Sequence, residues 1–282
     1  MLQITPSIKS TIERAIMEDL GQGDITTDSL IAPGIRGMGT VLAKAPGVIA
    51  GLDVALGVFL QLDPSVETRV FIGDGSQVAP GDVVAEVHGS IASILKGERV
   101  ALNFLQRLSG IATATSIYVS AVQGTRAHII DTRKTVPGLR ELEKYAIRVG
   151  GGHNHRYNLA DGILIKDNHI ATMRAQAFSM EDIVRRAREN SPHTLRVEVE
   201  VETVEEAREA MEARADAILL DNMSPEQMSQ AVAMVQGRCL LEASGGINLE
   251  TVRAVAETGV NLISVGALTH SVSALDISLD IT

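Results

Sequence analysis

The sequence predicts an α/β protein in which an incomplete α/β barrel follows a β-rich N-terminal domain. Two observations carry this. From about residue 127 onward, short apolar runs alternate with amphipathic stretches, and such strand–helix units imply parallel strands joined by right-handed crossovers. Six units suggest a barrel related to the eightfold type but incomplete. Before them lies a region punctuated by glycine and proline, with strand-like runs between the turns. The predicted division is 1–110 for the N-terminal domain, 111–270 for the barrel, and 271–282 for a C-terminal segment returning to the first domain.

The elements follow in order. In Pro6 to Leu20, Ile8, Ile12, Ile16 and Leu20 recur every fourth residue, and Gly21 can supply a left-handed cap. Strand candidates come next at Gly39 to Ala43, Val48 to Ala50, Glu67 to Ile72 and Val83 to His88. The run GDGSQVAPGDVVAEVHG resembles the small β-sandwich of lipoyl and biotinyl carriers. A carrier needs a lysine at the exposed hairpin tip, and this segment has none, so a structural α+β sandwich is the better reading. Lys96 to Gln123 is helical again, with Val100, Phe104, Leu105, Leu108, Ile111 and Ala112 on one face and a weak point at Ser109-Gly110. Barrel strands are expected at Ala127 to Asp131, Gly162 to Lys166, Leu195 to Val201, Ala217 to Asp221, Cys239 to Ala243 and Leu262 to Val265. Helices are expected at Ser179 to Asn190, Thr203 to Ala213, Ser224 to Val235 and Asn248 to Thr258. Ser179, Thr203, Ser224 and Asn248 serve as N-caps, each with acids in the turn that follows.

Composition limits the function. The 282 residues carry 35 acidic and 25 basic side chains, a formal charge of -10, which argues against nucleic acid as a partner. No Trp, three Tyr and four Phe leave little for base stacking. Cys239 is the single cysteine, which excludes an intramolecular disulfide and a cysteine zinc cage. No run approaches the ~18 apolar residues of a membrane span, so a soluble, cytoplasmic protein is expected.

In α/β barrels the working residues sit at the C-terminal ends of strands. Those ends read IIDTRKT, ILIKDNH, VEVEVE, ILLDN, LLEASGG and ISVGALTH. Residues 131–170 hold seven Lys or Arg against five Asp or Glu, a net of +2 in a chain whose remainder is -12. A basic island in an acidic protein suggests a small polyanion, because arginine clamps carboxylates and phosphates bidentately. Arg133 and Lys134, adjacent at a strand end, are the leading candidates, whereas Lys144 and Arg148 read equally well as solvated charges. Glu200 and Asp221 close successive strands, and two carboxylates at a barrel mouth suit a hard cation such as Mg2+. For Glu198, a simple pairing with Arg or Lys across the mouth is preferred. The glycines of ASGGI and SVGAL offer backbone N–H groups for a phosphate.

The run DTRKTVPGLRELEKYAIRVGGGHNHRYNLADGILIKDNH, followed in order by EVEVE, ILLDN, EASGGI and SVGALTHS, resembles the quinolinate phosphoribosyltransferase family. The likeness also takes in EDLGQGDITTD and ERVALNFLQRLSGIAT, so it covers almost the whole chain. The resemblance implies a β-rich N-terminal domain, an incomplete α/β barrel and a homodimer with active sites at its interface. It implies Mg2+-dependent phosphoribosyl transfer from phosphoribosyl pyrophosphate to quinolinate, with decarboxylation. Arg133, Arg156 and Lys166 would then bind quinolinate carboxylates with His155 and Lys134 beside them, Arg99 would join from the other subunit, and Thr132 would be a further substrate-binding residue. Glu200 and Asp221 would meet the ribose hydroxyls and the Mg2+-bound pyrophosphate, acting with Lys134 as the catalytic groups. Ser244, Gly245, Gly246, Gly266 and His270 would line the 5'-phosphate region, with Val265 and Ala267 as further substrate-binding residues. Two other readings are a related phosphoribosyltransferase with another acceptor and a non-catalytic phosphosugar-binding barrel.

Overall fold

The computed structural model describes residues 2–282. In chain order the first elements are α1 (Pro6–Leu20), α2 (Ile25–Leu30), β1 (Arg36–Ala43), β2 (Gly47–Val48), α3 (Leu52–Leu62), β3 (Glu67–Val70), β4 (Gln77–Val78), β5 (Val83–Ser90) and α4 (Ile91–Ala121). Then come β6 (His128–Ile130), α5 (Arg140–Val149), β7 (Ile163–Ile165), α6 (Asp167–Arg174), α7 (Met180–Glu189), β8 (Val197–Val201), α8 (Val204–Glu212) and β9 (Ala217–Asp221). The chain ends with α9 (Pro225–Val235), β10 (Leu240–Ser244), α10 (Val252–Glu257), β11 (Leu262–Ser264), α11 (Ala267–His270) and β12 (Ile277–Ile281). No helix among the described residues is long and apolar enough to cross a membrane.

The chain divides into two compact units. One holds the residues up to Ser116 together with Thr135–Gly151 and Leu268–Thr282; the other holds Ile117–Lys134 and Gly152–Ala267. The first unit is built on an antiparallel sheet of order β12-β1-β5-β3. Alternate residues of β1 and β5 are buried, as expected of a sheet with one covered face. Thr5 caps α1 through its side chain, and Ile8 and Ile12 go under, each 1% exposed. Burial of two such side chains contributes ~1.5–3 kcal/mol each. The Ser109-Gly110 step does not weaken α4, which passes through it unbroken. Ser109 Oγ accepts from Ala50 N at 3.0 Å, and a Cβ at Gly110 would run into the Ser273 carbonyl oxygen. The glycine is there for close approach of a neighbouring backbone.

The second unit carries a sheet of order β6-β11-β10-β9-β8-β7, with its neighbouring strands parallel. β6 and β7 are its two edges, so the barrel is open on that side, where His153 makes a single parallel bridge to Ile130. Ser179, Thr203 and Ser224 each accept from the backbone N–H three residues on, as N-caps do. Asn248 departs from expectation. Its Oδ1 accepts from Glu250 N and Thr251 N in a turn, and α10 begins only at Val252. Asn248 side chains compete for nearby backbone donors, which favours such a turn over a cap.

Strand periodicity decides what faces inward. In β8 the valines at 197, 199 and 201 are buried at 0–2% exposure, which turns Glu198 and Glu200 to the other face. The parallel register sets Glu200 beside Leu219, Leu219 beside Glu242, and Asp221 beside Ser244. One face of the sheet therefore collects four carboxylates, Glu198, Glu200, Asp221 and Glu242, from three strands. In an apolar sheet that is a costly arrangement unless each finds a partner.

Candidate active site

A cavity of about 580 Å³ opens at the C-terminal ends of these strands. Its lining includes Thr132, Arg133 and Lys134 after β6, His155 and Arg156 in the segment that follows α5, and Lys166 directly after β7. Glu200, Asp221, Ser244, Gly245 and Gly246 complete the expected set. Eleven sequence-predicted site residues thus meet at one place. Leu164, Leu219, Asn222, Glu242 and Ser264 line it as well, and sequence reasoning had not picked them out. Arg99, Val265, Gly266, Ala267 and His270 are not part of the lining. Arg99 is exposed on α4, and His270 is exposed with Nδ1 2.6 Å from Ser271 Oγ.

The cationic side is held by backbone and carboxylate contacts. Asp131, fully buried at the end of β6, accepts from Asn154 Nδ2 and from His155 N, both at 2.8 Å. This pins the 153–156 segment to the barrel. Arg156 Nη1 donates to the Gly162 carbonyl at 3.0 Å, which fixes one side of the guanidinium. Burial and the neighbouring Arg133 charge lower the Arg156 pKa, with Glu198 opposing. The guanidinium stays charged, since arginine does not lose its proton in proteins. Two like charges held side by side are a site for a dianion, which relieves their repulsion.

The acidic side has its own partners. Lys166 Nζ donates to Glu200 Oε2 at 2.8 Å, while the Lys166 N–H donates to His169 Nδ1 at 2.9 Å. Asp221 Oδ2 accepts from Asn222 Nδ2 at 2.8 Å. Asn222 sits at a left-handed φ of 53°, and its N–H donates to the Ser244 carbonyl at 2.9 Å. Gly245 follows at φ 93°, where a Cβ would collide with the Asn222 side chain, so only glycine lets the two loops approach. Glu198, expected to pair with Arg or Lys, has His155 as a neighbour. It lies below the mouth, its Oε2 3.0 Å from His155 Nε2, and Glu242 Oε2 is 3.6 Å from the same nitrogen. Among the described residues these three are close enough together to share a cation, with ligand atoms within 4.8 Å of one another. Burial and the Glu198 charge raise the Glu242 pKa well above the usual carboxylate range. The residue is 1% exposed.

Lys144 is neither solvated nor part of the lining: it is 2% exposed on α5, beside the fully buried Glu143. Arg107 Nε donates to Glu143 Oε1 at 2.9 Å, and Glu143 Oε2 accepts from Val136 N at 3.2 Å. Part of the basic island is therefore structural.

Family models describe both parts of the chain. The C-terminal domain of quinolinate phosphoribosyl transferase matches residues 111–280, and the N-terminal domain of the same family matches residues 24–109. The chain belongs to the quinolinate phosphoribosyl transferase family. It is 45% identical over 275 residues to a probable nicotinate-nucleotide pyrophosphorylase [carboxylating] of Bacillus subtilis, covering 98% of this chain and 93% of that one. A nicotinate-nucleotide pyrophosphorylase [carboxylating] of Mycobacterium leprae is 44% identical over 279 residues, covering 97% and 96%. Among solved structures, NadC from Streptococcus pyogenes has a TM-score of 0.95 at 43% identity, covering 100% of this chain and 99% of that one. The human nicotinic acid phosphoribosyltransferase, at 13% identity and TM-score 0.61, shares the fold.

Proposed function

We propose that this chain transfers phosphoribose from phosphoribosyl pyrophosphate to the ring nitrogen of quinolinate and releases the 2-carboxylate as carbon dioxide. The products are nicotinate mononucleotide and pyrophosphate, a step of NAD biosynthesis carried out in the cytoplasm. One observation carries the reading: a single cavity lines Arg133, Lys134, Arg156 and Lys166 against Glu200 and Asp221. A dicarboxylate acceptor needs several cations, and simple anion capture gains nothing from carboxylates at the same mouth.

The residues act by position and charge. Arg133 and Arg156 clamp the acceptor carboxylates, with Lys134 and Lys166 adding charge. Holding a poor nucleophile in line with the anomeric carbon supplies much of the acceleration. As the anomeric C–O bond breaks, positive charge grows on the ribose, and Glu200 and Asp221 stabilise it. Ser244, Gly245 and Gly246 offer the hydroxyl and backbone N–H groups for the 5'-phosphate, with Val265, Gly266, Ala267 and His270 assigned to its surroundings. After transfer the ring nitrogen is cationic and stabilises the carbanion left at C2 when carbon dioxide departs, and a proton from solvent then completes that carbon, so no covalent enzyme nucleophile is needed.

Mg2+ fits the acidic side. Glu200 Oε1 and Asp221 Oδ1 make no hydrogen bond among the described residues, and both side chains line the cavity, so each keeps a hard oxygen for the ion or its water. When bound with the pyrophosphate, Mg2+ supplies charge neutralisation of the leaving group. Arg99 enters through a homodimer: it is exposed and forms no ion pair among the described residues, which leaves its charge for the site of a second copy. The test is release of carbon dioxide from carboxyl-labelled quinolinate by the purified protein. The reading requires release that depends on both phosphoribosyl pyrophosphate and Mg2+, and independence from either refutes it.

A further inference from the structure

His155 faces the cavity, yet both its ring nitrogens are engaged within the protein. The Arg156 N–H donates to Nδ1 at 2.7 Å. A backbone N–H can only donate, so Nδ1 keeps its lone pair, and the neutral ring must carry its hydrogen on Nε2. That hydrogen points to Glu198 Oε2 at 3.0 Å. A second proton on the ring would oppose the Arg156 N–H, and a cation would find no lone pair on Nε2. The clustering of His155, Glu198 and Glu242 is therefore not a metal site, although their ligand atoms lie within 4.8 Å of one another. It is not an acid or base for the substrate either, since the Nε2 hydrogen is engaged by Glu198 and the Nδ1 lone pair by the Arg156 N–H.

Glu242 completes the arrangement. It sits on β10 in the row of Leu219, its Oε2 3.6 Å from His155 Nε2, and its Oε1 has no hydrogen-bond partner among the described residues. Two ionised carboxylates against one neutral imidazole would repel in a dry site, and a neutral Glu242 removes that repulsion. The raised pKa of Glu242 agrees with this geometry.

We propose that Glu198 and Glu242 hold His155 as a positioning residue, which fixes the backbone N–H of Arg156 and so the direction in which its guanidinium meets the acceptor. The linkage runs from Glu198 to Nε2, with Glu242 Oε2 3.6 Å from the same nitrogen, through the ring to Nδ1, and from there to the residue that clamps the substrate. Asp131 supports it from the other side by accepting from His155 N at 2.8 Å. Glu198 is not part of the cavity lining and Glu242, at its floor, is 1% exposed; both act through His155. The assignment of Arg156 to the acceptor rests on the function proposed above, whereas the state of the ring does not.

Two measurements test this separately. Nitrogen NMR of protein labelled in its histidines, with His155 assigned by its loss in His155→Asn, should show hydrogen on Nε2 and none on Nδ1 at neutral pH. Hydrogen on Nδ1 overturns the proposal whatever the substrate is. Calorimetry then compares Glu242→Gln, which keeps a neutral hydrogen-bonding group, with Glu242→Ala. Gln should retain quinolinate affinity within about threefold, and Ala should lose about 10–100-fold, as outer-shell supports typically do. Phosphoribosyl pyrophosphate binding should stay unchanged in both, which also shows that the Ala variant is folded. Equal quinolinate affinity in the Gln and Ala variants, or parallel loss of both ligands, overturns the positioning role. Failure of the wild-type chain to bind quinolinate overturns the functional reading instead and leaves the NMR result to judge the ring.

Discussion

Arg156→Ala isolates the clamp. In the resting protein the guanidinium spends one nitrogen on the Gly162 carbonyl at 3.0 Å and lines the cavity with the rest. Gly162 is partly exposed, so water can replace that bond in both free and bound states, and its loss cancels in the affinity. What does not cancel is the contact with the acceptor carboxylate. A hydrogen bond to a charged group contributes ~1.5–3 kcal/mol, and a bidentate clamp makes two. Removing Arg156 also relieves its repulsion with Arg133, the second cause of its lowered pKa, which trims the loss. The net cost is ~2–5 kcal/mol, or about 30-fold to several thousandfold in kcat/KM for quinolinate. Arg156→Lys keeps the charge but not the planar fork, and should recover only part of this. Steady-state carbon dioxide release measures kcat/KM, and calorimetry measures each ligand alone. The loss should fall on quinolinate, for Arg133→Ala as for Arg156→Ala. Equal weakening of quinolinate and phosphoribosyl pyrophosphate would refute the assignment of these arginines to the acceptor.

Other outcomes follow from the same geometry. Asp221→Asn should reduce turnover sharply while quinolinate affinity stays near normal, and unchanged turnover at saturating Mg2+ would make Asp221 only a partner of Asn222. Arg99→Ala and Arg133→Ala should each be nearly inactive, yet subunit exchange between them should restore roughly a quarter of wild-type activity, since about half of randomly mixed dimers carry one intact site; no recovery despite demonstrated exchange removes Arg99 from the partner's site. Gly110→Ala should cost ~1–3 kcal/mol or more of stability, read as a lower Tm, because the added Cβ meets the Ser273 backbone. Glu242 has its folded pKa raised by burial, so its contribution to stability is fully present below the unfolded value of about 4.3 and is lost as pH rises through the folded value. Glu242→Gln has no such dependence, and its Tm should gain on wild type as pH is raised from about 4.3; a constant difference would mean Glu242 ionises normally.

The barrel was legible because its signals are local. Ser179, Thr203 and Ser224 cap their helices where the sequence placed them, and β9 spans the predicted Ala217–Asp221. α3 was missed because LDVALGVFLQL is apolar nearly throughout, with six of its residues buried, and so shows no helical stripe. α5 was hidden by its charges, which read as a basic island; Leu142, Ala146 and Ile147 are its buried face. The lip of the site was legible for a similar reason, since strand ends can be read one at a time. Its floor was not. Glu198 shares a face with Glu200 by simple alternation, but its neighbour Glu242 arrives through the register of β8 on β9 and β9 on β10, which no single segment encodes. The one available signal was a glutamate within the apolar run LLEAS, two residues before Ser244.

The central claim is tested most directly by following one labelled carbon. Quinolinate carrying 13C in its 2-carboxylate, incubated with the protein, phosphoribosyl pyrophosphate and Mg2+, should place all of the label in carbon dioxide and none in the mononucleotide, one for one with pyrophosphate released. A nucleotide that keeps the label, or labelled carbon dioxide without a nucleotide, would contradict the account.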